Sequence, residues 1–424
     1  MVHRLEAVWS CPEDQLAFFV FFFPFRFFSS MGVSNFSKMD GPNASPLVQH
    51  AEFPTAFPCD CRYFKNCAPR GGLSPCKRPQ DLAKAGEHLG KGPSLAGGHN
   101  AHYSGGFVEP GSLYVAAYWA GLSEAKGAIV KVALETGERT LVSGVMPSGE
   151  EAGSGHAFCH VIDVQRGPDG SLFAFVLPNK PSSHEIVAID EVSGGRCLVW
   201  KGRDERFGQL VLADGKTSVQ YSGTGFAVDK DGSFLVGISH PQSGRGLVRI
   251  SSSGETVVPV SVFSSDQSIV KGKGNELRGF LQGYTLRDDK LFAFTTQPKQ
   301  FLEIDLATGD RTVLISGNAA GAMGERWALW DETYQVWWLC GFQNSVCVVA
   351  FDPKTKKTFN AFKGGGKDFT WFPLGAGGPF AINSLNYGGV WKHPDHTDRL
   401  LLAHDSVAIV ELEISSGNSR VLSL

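Results

Sequence analysis

"FLEIDLATGDRTVLISG", Phe301 to Gly317, decides the fold. Its first half is apolar on both sides of the backbone, as in a strand covered on both faces. The short polar stretch "ATGD" then supplies turn chemistry, with a glycine that tolerates positive φ. The second half alternates, with Arg311 and Thr312 expected to point outward from an outer strand. The stretch reads as a β-hairpin.

Five more hairpins of the same kind follow the same plan: "IVKVALETGERTLVSG" from Ile129, "IVAIDEVSGGRCLVWKG" from Ile186, "LVRISSSGETVVPVS" from Leu247, "VVAFDPKTKKTFNAFKG" from Val348 and "IVELEISSGNSRVLSL" from Ile409. Their starts are separated by 57, 61, 54, 47 and 61 residues, and a Gly or Lys recurs seven or eight positions after each start. Upstream of each copy lies a second hairpin. Thr224 to His240, "TGFAVDKDGSFLVGISH", is the clearest, with "DKDG" as its turn. Four strands per unit and six units at this period predict an all-β fold, a six-bladed β-propeller with four antiparallel strands per blade. Short strands at regular spacing also suit a β-sandwich. Six copies of both hairpins favour the propeller.

The expected organisation has three parts: an apolar N-terminal segment over 1–30, a Pro/Gly/Cys-rich irregular appendage over 31–99, and the propeller over 100–424. The chain ends on an outer strand, "SRVLSL". Closure is therefore expected from packing of blade one on blade six, or from an extra N-terminal strand.

The 424 residues are 42% apolar and 19% charged, ordinary for an all-β domain of this size. A net charge of −3 gives no reason to expect nucleic acid or an anionic membrane as a partner. "LAFFVFFFPFRFF", Leu16 to Phe28, is too short to span a bilayer. It has the length of a signal peptide, although Glu6, Glu13 and Asp14 precede it. Either it directs the chain to the secretory route, or translation begins at Met31 and the protein is cytoplasmic. Sequons at Asn35 and Asn43 agree with secretion. Cys59, Cys61, Cys67 and Cys76 crowd into 59–76. Two disulfides are the first expectation there, because so small a segment cannot bury a stabilising core. A zinc site and unpaired thiols are the alternatives. Cys340 and Cys347 flank a turn of blade five and are expected as two buried thiols.

A propeller's working mouth is made by the loops that lead into its innermost strands. Before those strands stand His102 and Ser104; His156, His160 and Asp163; Tyr221 and Thr224; Arg278 and Gln282; Glu325 and Arg326; Asn383 and Asn386. Asp163, Glu325, Asn386 and Gln282 are the oxygen donors that suit a hard divalent cation, Ca²⁺ first. His160 and His102 are candidate general bases. Arg278 and Arg326 are candidate substrate contacts. So are Trp371 and Phe372, which lie in the glycine-rich loop Lys363 to Phe380. "HPDH", His393 to His396, reads as a solvated turn on the opposite face.

The phrases "FAVDKDGSFLVG" and "EIDLATGDRT" resemble the SMP-30/gluconolactonase and NHL-type six-bladed propellers, over roughly 100–424. In the SMP-30 group a channel metal held by Glu, Asn and Asp activates water to open sugar lactones; Asn386 and Asp163 are similar in type. The resemblance implies a metal-assisted, lactonase-like hydrolase, or an isomerase, acting on a small polar substrate. The alternative is a non-catalytic propeller that binds a protein or glycan through its mouth loops, since one fold hosts many functions.

Overall fold

In the computed structural model, the described residues lie within 101–423. Residues 1–100, 120–125, 178–183, 211–219, 241–243, 264–270, 317–326, 365–388, 405–407 and 415–418 lie outside the description, as do positions 147, 276, 278, 297, 344 and 424. The side chains of some strand residues, 101–104 and 220–224 among them, lie outside it too. The expected leader, the four clustered cysteines and the appendage over 31–99 all fall there.

The described residues form six antiparallel sheets of consecutive strands, and none of these residues is helical. Blade one runs Ala101–Glu109, Ser112–Trp119, Lys126–Ala133 and Arg139–Val145, with a two-residue strand, Glu151–Ala152, added at its outer edge. The innermost strands of blades two to six are His160–Arg166, Gln220–Val228, Leu281–Arg287, Trp327–Asp331 and Gly389–Lys392. Each packs against the next, and that of blade six packs against that of blade one, so the ring is closed. The chain is a six-bladed β-propeller.

The repeat explains the core. Each copy starts a third strand whose two faces feed two different interfaces. Ile129 packs toward blade two and Val130 toward blade six, both fully buried. Six apolar clusters result, one between each pair of neighbouring blades. Apolar area removed from water on both faces of the middle strands is what holds blade to blade. The recurring turn position is left-handed wherever it is described: φ is 70° at Gly137, 70° at Gly194, 75° at Gly254, 79° at Gly309 and 58° at Lys356.

Two sequence expectations need correction. First, two arginines of the outermost strands, Arg196 and Arg311, do not point to solvent, whereas the Arg420 side chain is exposed as expected. Arg311 is 6% exposed, and the Arg196 side chain 5%. Each reaches back into the connector from the preceding blade, where backbone carbonyls need donors. Arg196 donates from Nε to the His156 carbonyl (2.7 Å) and from Nη1 to the Ala152 carbonyl (2.8 Å) and Ser143 Oγ (3.2 Å). Arg311 does the same to the carbonyls of Asn275 (2.8 Å) and Lys271 (3.2 Å) and to Ser261 Oγ (2.8 Å). In both places the serine, on the outermost strand of the preceding blade, donates to the carbonyl of the turn glycine, Gly194 or Gly309, at 2.7 Å. The thermodynamic logic is that buried carbonyls left without donors are costly.

The same serine–glycine–arginine clamp closes the ring. Arg139 donates to Ser423 Oγ (2.7 Å), and Ser423 donates to the Gly137 carbonyl (2.8 Å). Trp391 of blade six adds an indole N–H to the Gly106 carbonyl of blade one (2.9 Å). Of the two expected routes, packing of blade one on blade six accounts for closure among the described residues.

Second, the "HPDH" turn is not fully solvated. His393 is 5% exposed, its ring centroid lies 4.6 Å from that of His396, and its Nδ1 accepts the Asp395 N–H at 3.1 Å. Burial, which disfavours the imidazolium, pushes its pKa down. Cys340 is buried as expected, and the side chain of Cys347 lies outside the description. The register pairs Cys340 with Val348 and Gly341 with Cys347.

Candidate functional site

At the mouth end, four innermost strands carry a bulge at one level: between Tyr103 and Gly105, Val161 and Asp163, Tyr221 and Phe226, and Gln282 and Thr285. Bulges re-aim side chains and recur beside functional sites. Three residues before the end of the innermost strand stand Gly106, Gly225 and Gly389 in blades one, three and six. Blade two has Asp163 there.

Asp163 is 1% exposed. Its Oδ1 accepts the Val164 N–H at 2.8 Å, and the Gln165 side-chain amide lies 3.3–3.4 Å from both carboxyl oxygens. The backbone N–H groups of Phe226 and Gly106, from the blades on either side, also face it. Space for the carboxylate comes from glycine: a Cβ on Gly105 would lie 2.3 Å from Oδ1, and one on Gly225 3.5 Å from Oδ2. Burial pushes the carboxyl well above the ordinary range, while these hydrogen bonds pull it back. Chemically this is an acceptor surrounded by donors. A cation bound to the same oxygens would face inward-pointing N–H groups.

Of the other residues singled out, His160 opens the innermost strand of blade two, its ring 4.8 Å from that of Tyr118 at 46°. Gln282 is half-buried in blade four, paired in register with Phe294. His102 lies on the first strand, with its side chain outside the description. Arg278, Glu325, Arg326, Trp371, Phe372 and Asn386 lie outside the described residues. Among the described residues, no three His, Cys, Asp or Glu side chains gather as metal ligands.

Two further groups stand at this end; of their members, the sequence reading singled out His156 and missed Glu185, Lys201, Phe280 and Arg245. The first sits on the rim between blades one and two. His156 Nε2 is 2.7 Å from Glu185 Oε2, and Lys201 Nζ is 2.7 Å from Glu185 Oε1. The Glu185 side chain is 3% exposed and that of His156 26%. Burial alone would raise the Glu185 carboxyl. The hydrogen bonds and charges of His156 and Lys201 outweigh it and hold the group below its ordinary 4.5. A signal existed. The residues just before the six repeat starts are Ala128, Glu185, Gly246, Gln300, Cys347 and Ala408, so Glu185 is the single carboxylate among them.

The second group joins blades three and four. Phe280, just before the innermost strand of blade four, is 45% exposed although aromatic. The Arg245 guanidinium carbon lies 5.8 Å from its ring centroid. Among the described residues, no carboxylate lies within ion-pair distance of Arg245, whereas most other half-buried arginines, such as Arg166, Arg249, Arg287 and Arg399, have one.

No family model matches the chain, and no curated protein matches it. Among solved structures it is similar to puromycin hydrolase (12% identity, TM-score 0.40, 75% of this chain) and to TolB from Acinetobacter baumannii (13%, 0.36, 58%). It spans 43% and 50% of the lengths of those two chains. It is also similar to the periplasmic gluconolactonase PpgL of Pseudomonas aeruginosa (11%, 0.43, covering 75% of this chain and 83% of that one). None of these likenesses carries an argument about the chemistry of this chain.

Proposed function

We propose that the protein binds a small polar molecule at the mouth end of its propeller. The ligand carries a planar ring that stacks on Phe280 and an anionic group that meets Arg245. One observation carries this reading: an exposed aromatic ring faced by a guanidinium that has no carboxylate partner among the described residues. An aromatic face supplies stacking area, and a guanidinium supplies paired donors for a carboxylate. Gln282, two residues after Phe280 and on the innermost strand of blade four, supplies a neutral hydrogen-bonding group.

Metal-assisted, lactonase-like hydrolysis or isomerisation is the chemical extension of that reading. It draws on Gln282 with Glu325 and Asn386, since the donors around Asp163 do not fit a cation ligand. Recognition of a protein or glycan through the mouth loops is the remaining alternative.

The test is thermal melting with benzoate and with benzyl alcohol, which share a ring and differ in charge. Benzoate should raise Tm and benzyl alcohol should not; Arg245→Ala and Phe280→Ala should each remove the increment. Equal behaviour of the two compounds, or an increment that survives Arg245→Ala, overturns the reading. Millimolar Ca²⁺ belongs in the same series. A Ca²⁺ increment lost in Glu325→Gln would support the metal-assisted reaction.

A further inference from the structure

We propose that His156, Glu185 and Lys201 form an acid–base site on the rim between blades one and two, separate from ligand binding at Phe280 and Arg245. In it His156 accepts the proton of a water that attacks the acyl carbon of a small ester.

The geometry supplies each part. Glu185 takes the hydrogen bond from Nε2, so the neutral ring keeps its lone pair on Nδ1. Nδ1 has no hydrogen-bond partner among the described residues, and the side chain reaches solvent. A carboxylate behind an imidazole orients the ring and stabilises the imidazolium once a proton arrives. Lys201 keeps Glu185 ionised, so the carboxylate can do this while buried. The connector that carries His156 is fixed from below. Arg196 donates to the carbonyls of Ala152 and His156, and its own N–H reaches the Ser154 carbonyl at 2.8 Å. Gly153 and Gly155 hold φ of 73° and 104° and approach the Gly194 and Arg196 carbonyls so closely that a Cβ at either would lie 1.8 or 2.2 Å from them. Besides Glu185 and Lys201, the charged groups near His156 are Arg196 beneath it and Glu151, whose carboxylate is 3.8 Å from Arg196.

Architecture alone does not require the three charged residues. The connector into blade four has the same clamp from Arg311 and the same glycine pair, Gly272 and Gly274, at φ of 79° and 109°. Its residues at the positions of His156, Glu185 and Lys201 are Asn275, Gln300 and Ser316. There Gln300 is 7% exposed and its Oε1 has no partner among the described residues. Blade four keeps its fold without the pair, so the pair in blade two is available for chemistry.

The step balances as hydrolysis. Water oxygen bonds to the acyl carbon as its proton moves to Nδ1. The ester C–O bond then breaks, and the leaving oxygen takes the proton from the imidazolium, giving acid and alcohol. p-Nitrophenyl acetate is the probe. The wild-type chain should hydrolyse it above the buffer rate. His156→Gln should lower the protein-dependent rate by about 10²-fold or more. Free imidazole should restore part of the rate to His156→Gly. In folded wild-type protein, loss of rate should track carbethoxylation of His156 by diethyl pyrocarbonate, mapped by mass spectrometry. An unchanged rate in His156→Gln, no rescue by imidazole, or activity that survives full modification of His156 would each overturn the proposal and leave the group as a pin between blades.

Discussion

The connector into blade two and the connector into blade four are nearly the same piece of backbone. "GSGH", Gly153 to His156, and "GKGN", Gly272 to Asn275, share two left-handed glycines, a clamping arginine from the next blade and a serine from the blade before. They differ in what the clamp displays. Blade two shows an imidazole paired with a buried carboxylate and an ammonium; at the matching positions blade four has neutral Asn275, Gln300 and Ser316, and the Gln300 Oε1 has no partner among the described residues. The difference separates what the ring needs from what it does not. Hydrogen-bond donors to connector carbonyls are structural in both places, whereas the His–Glu–Lys group occurs in one.

Moving the charge should have the largest effect. Gln300→Glu buries a carboxylate without a partner in blade four, at a cost of about 3–5 kcal/mol at neutral pH. Urea unfolding measures this, and Asn275→His with Ser316→Lys added in the same chain should recover part of it. The clamps come next. Arg196→Ala and Arg311→Ala each strand buried carbonyls and a serine hydroxyl, and each should lower stability by about 3 kcal/mol. A small loss for one and a large loss for the other would break the equivalence of the two connectors.

Acid should separate the two rims. The folded Glu185 carboxyl lies below its ordinary 4.5, so the native state binds fewer protons than the unfolded chain. Its contribution is therefore present above about pH 4.5 and is lost as pH falls through the lower folded value. Hydrogen exchange across 152–156 should quicken in that window in the wild type. Across 271–275 the Glu185 term is absent, and Glu185→Gln should remove the window from the first rim. The smallest effect is expected at Asn275. It is exposed and contributes its carbonyl to the clamp, so Asn275→Ala should change stability by less than about 0.5 kcal/mol in the same urea series.

Much of the frame was legible in the sequence because it is written locally. Strand periodicity and the turn residue seven or eight places after each repeat start gave six units of four strands, and the positive φ at Gly137, Gly194, Gly254, Gly309 and Lys356 follows from that phrase. The buried arginines were not legible. Alternation assigns Arg196 and Arg311 to the outer side of a strand and is blind to the neighbouring blade that covers them. Asp163 was singled out by residue type alone. Its surroundings depend on glycines in two other blades, Gly105 and Gly225. Glu185 was overlooked because its partners, His156 and Lys201, stand 29 residues before it and 16 after it, in different strands and loops. Reading the six repeats in columns would have marked it, since a carboxylate directly before a buried strand demands a counter-charge.

Double-mutant cycles at the two rims test the central contrast most directly. One cycle combines His156→Gln with Glu185→Gln, the other Asn275→Ala with Gln300→Ala, all by urea unfolding at neutral pH. The account predicts a coupling of about 1 kcal/mol or more between His156 and Glu185, and none beyond about 0.3 kcal/mol between Asn275 and Gln300. Equal couplings at the two rims would contradict it.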